Sequence, residues 1–191
     1  MFLNSKSDQF KVDFPKVFIP KHIKIKYAPY LHRLPTPISD ISDLINYSIQ
    51  SISVPSTSYE PVIQTDTKAS KQDQDSRGFN RSHRAVNNIK ELQSKEFTIT
   101  FKMINGYLNY WIMQEVFWYY FDYQNKLTYS CNVPVKILDA DDIQMFSAIY
   151  TDVLFTGLGE FELSYSNNIR EFKTFDCNFT YNTFETSLDI N

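Results

Sequence analysis

Glycine is scarce in this sequence, with four residues in 191 (Gly78, Gly106, Gly157 and Gly159). That leaves little material for loops that cradle phosphates. Gly157-Leu158-Gly159 has no third glycine and leads into an alternating segment rather than a helix, so it is not a dinucleotide fingerprint. Two cysteines, Cys131 and Cys177, are too few for a disulfide scaffold and have no metal-type spacing. The three histidines, His22, His32 and His83, are scattered and fit no HExxH pattern or serine elbow. No apolar run approaches 18 residues, which argues against a membrane anchor of the helical kind, and the start has no apolar core of a signal peptide. Asp139, Asp141 and Asp142 lack the glycine and distant glutamate of a calcium loop and read as a solvated turn. Glu160 and Glu162 could be paired carboxylates, but two residues apart on a strand they read as a polar sheet face. These absences lead us to expect no enzyme, no cofactor and no metal.

Aromatic residues are abundant instead: 16 Phe, 13 Tyr and 2 Trp, or 16% of the chain. Such a composition suits dense packing and protein contacts. The net charge of −3 hides a split along the chain. Residues 1–38 carry seven bases and two acids, residues 64–95 seven bases and four acids, and residues 96–191 five bases and thirteen acids. A basic start and an acidic end can attract each other between copies, although plain surface scatter accounts for the split equally well.

The first twenty residues, with Pro15 and Pro20, read as an arm without a packed element. His22 to Tyr27 alternates and predicts a strand, with Ile23, Ile25 and Tyr27 inward. Ser39 to Leu44 predicts one helical turn, and Ile45 to Val54 a strand stopped by Pro55. Residues 64–95 read as a long inserted loop, with a short helix near 84–93. Glu96 to Met103 predicts a strand with Phe97, Ile99, Phe101 and Met103 on one face. Asn105 is placed to cap the following helix, Tyr107 to Asp122, whose stripe is Leu108, Ile112, Val116 and Tyr119. Trp111, Phe117, Trp118 and Phe121 widen that stripe beyond what one sheet covers. Either a neighbouring subunit or the arm and long loop of the same chain would have to cover the rest. Further strands are expected at 133–137, 149–155, 160–165 and, as one long element, 171–184. In the last, Phe175, Cys177, Phe179 and Tyr181 face one way and Thr174, Asp176, Asn178, Thr180 and Asn182 the other. The expected class is mainly β (α+β): about six strands and one flanking helix. The division is an arm over 1–20, a domain over 21–185 and a tail over 186–191.

Three segments together resemble the tail tube proteins of contractile-tailed bacteriophages, a family related to the tube proteins of type VI secretion. They are Ile52-Ser53-Val54-Pro55-Ser56; Phe97 to Phe101 leading into Asn105 to Trp111; and Leu154 to Tyr165, continuing through Ser166-Asn167-Asn168 to Phe175–Tyr181. The resemblance implies hexameric rings stacked into a tube, with the sheets of six subunits closing into one barrel. It implies a virion protein, assembled in the host cytoplasm, with tail sheath, tape-measure protein, baseplate and tail terminator as partners, and DNA passing through without specific binding. Glu160, Glu162, Asp176 and Asn178 become candidates to line the lumen. Arg77, Phe79, Arg81, Arg84, Trp111, Phe117 and Trp118 become candidate inter-subunit contacts. A baseplate tube or tube-initiator subunit, or an injection-system tube, has the same fold. A carbohydrate-binding β-sandwich is the competing reading from a different class.

Overall fold

The computed structural model describes residues 9–34, 38–55, 62–65, 82–85, 95–122, 131–139, 141–161, 163 and 173–188. The chain divides into two compact units, residues 1–54 with 95–191, and residues 55–94. The strands of the larger unit are β1 (Phe10–Val12), β2 (Ile49–Ile52), β5 (Glu96–Lys102), β6 (Cys131–Leu138), β7 (Gln144–Leu158), β8 (Thr174–Thr180) and β9 (Thr183–Leu188). Its helices are α1 (Lys21–Leu31), α2 (Ile41–Ser48) and α3 (Leu108–Asp122). The smaller unit contains β3 (Val62–Thr65) paired antiparallel with β4 (Ser82–Ala85). Part of the expected long loop is therefore a two-stranded ribbon, and Arg84 lies in β4 opposite Ile63. The rest of the expected helix at 84–93 lies outside the described residues.

The fold is mainly β. Seven strands form one antiparallel sheet in the order β1-β6-β7-β8-β5-β2, with β9 also paired to β7. β1 and β2 end the order and are not paired to each other, so among the described residues the sheet is open within one chain. β7 is the spine. Leu154 pairs with Thr180 in β8 and Thr151 with Thr183 in β9, so β8 and β9 continue one ladder across a break at Tyr181-Asn182. The long strand expected over 171–184 is thus two strands in a single register. β7 carries Asp152 at φ +52°, where Asn132 accepts from its amide at 3.3 Å and Asn182 donates to its carboxylate at 3.2 Å. A non-glycine residue in the left-handed region marks an irregularity that bends and twists a strand. The β6–β7 register shifts there, between Cys131 and Val133, and two residues before Asp152 Tyr150 stacks on Phe97 at 4.2 Å.

The core follows the alternation of the strands. Phe97, Ile99 and Phe101 of β5 and Phe175, Cys177 and Phe179 of β8 are all buried. Pro134 is tolerated in β6 because its side of the strand faces β1 just where β1 ends; its carbonyl accepts from the Asp13 amide at 3.1 Å. α3 lies over the apolar side of the sheet, with Phe117 against Phe155 at 5.3 Å and Tyr110 against Phe175 at 5.2 Å. Leu108, Ile112 and Val116 of the expected stripe are buried, joined by Met113 and Asn109, while Tyr119 of that stripe is only half-buried.

Four expectations need correction. Residues 22–27 are helical, because Ile23, Tyr27 and Leu31 at four-residue intervals share the covered face while Ile25 is 74% exposed. Proline in the last turn (Pro29) does not prevent this. Second, α2 runs to Ser48 and the strand begins only at Ile49: Ile41, Leu44, Ile45 and Ser48 are buried at helical spacing, and Asp40 caps the helix by accepting from the Ser42 amide at 3.1 Å. Third, residues 9–20 are packed rather than loose. β1 pairs with β6, and Phe14, Phe18 and Ile19 are buried, Phe18 accepting through its carbonyl from the Tyr120 hydroxyl at 2.8 Å. Fourth, Glu160, Phe161 and Leu163 are not in a strand, and Phe161 packs on Tyr107 at 5.1 Å and Tyr110 at 4.6 Å.

Candidate functional site

The outer face of β5 and β8 is a ribbon of hydroxyls and amides. Cross-strand pairing places Thr98 opposite Asn178 and Thr100 opposite Asp176. Thr98 Oγ1 donates to Asn178 Oδ1 at 3.0 Å, and Thr100 Oγ1 to Asp176 Oδ1 at 2.7 Å. Thr156 of β7 donates to the Asn178 carbonyl at 3.0 Å, and Ser53, just past β2, accepts from the Thr98 amide at 2.7 Å. The polar side chains are thereby held in place across four strands without burial. Charge is sparse on this ribbon: Asp176 near its middle, with Glu96 and Lys102 at the two ends of β5.

Of the four residues expected to line a lumen, Asp176 and Asn178 share this face. Glu160 is exposed but lies beyond the end of β7, and Glu162 lies outside the described residues. Gly159 brings that end of β7 close to β8, its amide donating to the Asp176 carbonyl at 2.7 Å. A Cβ there would stand 3.0 Å from the same oxygen, so only glycine fits without a shift.

The second surface is the outer side of α3. Trp111 is 44% exposed, Trp118 52% and Phe121 57%. Phe117 is half-buried and carries Trp118 edge-on at 5.9 Å. Among the candidate contacts, the two tryptophans and Phe117 thus lie on one helix, whereas Arg77, Phe79 and Arg81 lie outside the described residues. α3 covers the apolar side of the β5–β8 layer, so its exposed aromatics and the Thr98–Asn178 ribbon look out in opposite directions.

Two features escaped the sequence reading. Asn109, a polar residue near the start of the largely apolar α3, is fully buried: it accepts from the Ile104 amide at 3.2 Å and donates to the Lys102 carbonyl at 2.8 Å. It does the joining work expected of Asn105, while Gly106 at φ +72° and Tyr107 at φ +58° make the turn. The second is Glu115, which accepts from Lys26 and, at 2.8 Å, from the Tyr27 hydroxyl. Partial burial pushes the Glu115 carboxyl up, but these two hydrogen bonds outweigh it and leave its pKa below the ordinary glutamate value. Burial, then the bond to Glu115, pushes the Tyr27 hydroxyl up. Burial likewise raises the thiols, Cys131 to about 12 and Cys177 well above the ordinary value. Neither is a thiolate at neutral pH, so neither is a ready nucleophile. Among the described residues no cluster of His, Cys, Asp and Glu is arranged to hold a metal.

No protein-family model and no curated protein sequence matches this chain. Solved structures do. A chain of the six-fold symmetrised baseplate of the anti-feeding prophage aligns with a TM-score of 0.55 and 14% identity, over 98% of this chain and 97% of that one. A chain of the sheath/tube terminator of the extracellular contractile injection system PVC, in its extended state, aligns with a TM-score of 0.58 and 9% identity, over 97% and 98%. A chain of the PVC sheath–tube complex, also extended, aligns with 0.52 and 9% identity, over 78% and 83%. The chain has the fold of proteins found in the tube, tube-terminator and baseplate structures of contractile injection systems.

Proposed function

We propose that this chain is a structural subunit of the tube of a phage-like contractile particle, assembling as hexameric rings that stack around a bore. The observation that carries the reading is the hydrogen-bonded ribbon of Thr98, Thr100, Asp176 and Asn178 on the outer face of an open sheet. A sheet whose end strands β1 and β2 have one edge unpaired among the described residues carries a hazard that closure among identical copies removes. A hydroxyl and amide lining stays wet and offers few cations to phosphates, so DNA or another cargo slides without sticking. On this reading Asp176 and Asn178, with Glu160 and Glu162 near the strand end, border the lumen, and α3 looks outward or toward a neighbour through Trp111, Phe117 and Trp118. A sheath would enclose the tube, a tape-measure protein would occupy it during assembly, and baseplate and terminator proteins would close its ends. The particle is read as a phage tail assembled in the host cytoplasm.

A second reading, a subunit at one end of the tube, is favoured by the near-complete mutual coverage with chains of the baseplate and terminator structures, against 78% of this chain for the sheath–tube complex. Electron microscopy of the purified chain tests both. Long stacked tubes support the main-tube subunit, single or short stacks of rings the end subunit, and a glycan-binding monomer the β-sandwich module. The 64–95 segment is read as a clasp between copies. Charge reversal at Arg77, Arg81 and Arg84 is expected to weaken polymerisation with unchanged circular dichroism, and unaltered tube yield would count against the clasp.

A further inference from the structure

A groove of about 500 Å³ opens beside α1 and the start of α3, lined by Tyr27, Tyr30, Arg33, Leu34, Gly106 and Trp111. Its walls are aromatic, and the Arg33 guanidinium lies 5.5 Å from the Tyr30 ring centre. Among the described residues no carboxylate pairs with Arg33, which lies two residues past the end of α1, although Lys24 and Lys26 within α1 each have one. An unpaired guanidinium over aromatic walls suits an extended segment carrying an aliphatic side chain next to a carboxylate. Residues 21–33 contain four Lys/Arg and no acid, and residues 183–191 two acids and no base. The end of β9 has that composition: Leu188 is 72% exposed, and Asp189 and Ile190 follow it.

We infer that residues 188–190 of one copy dock in the Tyr30–Arg33–Trp111 groove of the next, with the Asp189 carboxylate on Arg33 and aliphatic side chains against Trp111 and Tyr30. The pairing is between copies because a single chain cannot make it. Leu188 pairs with Phe146 near the start of β7, whereas the groove lies by Tyr107 and Tyr110, which hold Phe161 just beyond the other end of β7. Twelve residue steps separate Phe146 from Leu158, roughly 40 Å of strand; a right-angle bend at Asp152 still leaves about 28 Å. Two or three residues past Leu188 span at most about 10 Å. The contact joins two different surfaces of identical copies, so it is head-to-tail, the geometry that closes rings or extends stacks. The inference rests on the tube-subunit reading for its role, but the pairing can be tested without it.

The probe is a peptide of residues 183–191, titrated against the full chain carrying Trp118→Phe, in which Trp111 is the one tryptophan left. A saturable change in Trp111 emission is expected, lost with Asp189→Lys in the peptide or Arg33→Glu in the chain, and regained when both reversals are combined. No change with the parent peptide, or equal binding by the reversed one, overturns the pairing. In the assembly arm, Arg33→Glu is expected to raise the concentration at which assemblies form by about tenfold or more, with Asp189→Lys in the same chain restoring it. Rings that form equally well with Arg33→Glu overturn the pairing and leave the tube reading standing. A parent chain that binds the peptide yet never assembles supports the pairing and removes the tube reading.

Discussion

Along β8 the two faces differ completely at intervals of one residue. Phe175, Cys177 and Phe179 are no more than 2% exposed, while Asp176 and Asn178 between them are open to solvent. The inner set packs against β5, α3 and the segment around Phe14; the outer side chains hydrogen-bond to neighbouring threonines. The difference separates two jobs that share one strand. Inner residues fix the register, because a slip of one position would bury Asp176 and Asn178. Outer residues contribute little to folding, which frees them to meet whatever occupies the space beyond the sheet.

The contrast is broken most severely from the inside. Phe179 packs at 4.9 Å from Phe155, 5.2 Å from Phe97 and 5.7 Å from Phe14, so Phe179→Ala is expected to cost about 3–5 kcal/mol in chemical denaturation. Asn109→Ala leaves the Lys102 carbonyl and Ile104 amide without their partner, and a loss of about 1–3 kcal/mol is expected from the same measurement. The Glu115 pair gives a smaller, pH-dependent term. Its carboxyl pKa is lowered in the folded chain, so its contribution is full above the ordinary value of 4.5 and is lost as pH falls through the lower folded value. Melting curves from pH 7 down to pH 3 should show the parent losing more stability than Glu115→Gln; equal losses would remove this role for the contact. On the outer face, Asn178→Ala is expected to change stability by no more than about 0.5 kcal/mol. A loss comparable to that of Phe179→Ala would erase the distinction between the faces.

The parts of the fold that were legible in the sequence are those with one unambiguous period. Phe97-Thr98-Ile99-Thr100-Phe101 and Phe175 to Thr180 alternate strictly, and the polar ribbon with Asp176 and Asn178 follows directly from that alternation. Leu108, Ile112 and Val116 of α3 were equally plain, whereas the buried Met113 lay outside the expected stripe and Tyr119 within it is only half-buried. His22 to Tyr27 misled because a six-residue window with apolar residues at 23, 25 and 27 satisfies a strand, and only Leu31 reveals the four-residue spacing that leaves Ile25 outside. Residues 9–20 were obscured by Pro15 and Pro20, which punctuate a segment that is nonetheless anchored by Phe14 and Phe18. Two asparagines illustrate the remaining gap. Asn105 and Asn109 look alike in sequence, and only the tertiary placement of the Lys102 carbonyl decides which one joins strand to helix. The groove by Arg33 could not be read either, since its walls come from α1 and α3, about 80 residues apart in the chain.

The central claim is that the outer face of β5 and β8 borders a space shared by identical copies. Position 178 offers the most direct test, because Cys131 and Cys177 are buried and an added cysteine on that face is the one a reagent would reach among the described residues. Asn178→Cys coupled to a small gold cluster, mixed with excess unlabelled chain and imaged by electron microscopy, is predicted to give annular particles with gold on the central axis. Gold on the outer rim of the rings, or labelled particles that remain single subunits at every concentration, would contradict the account.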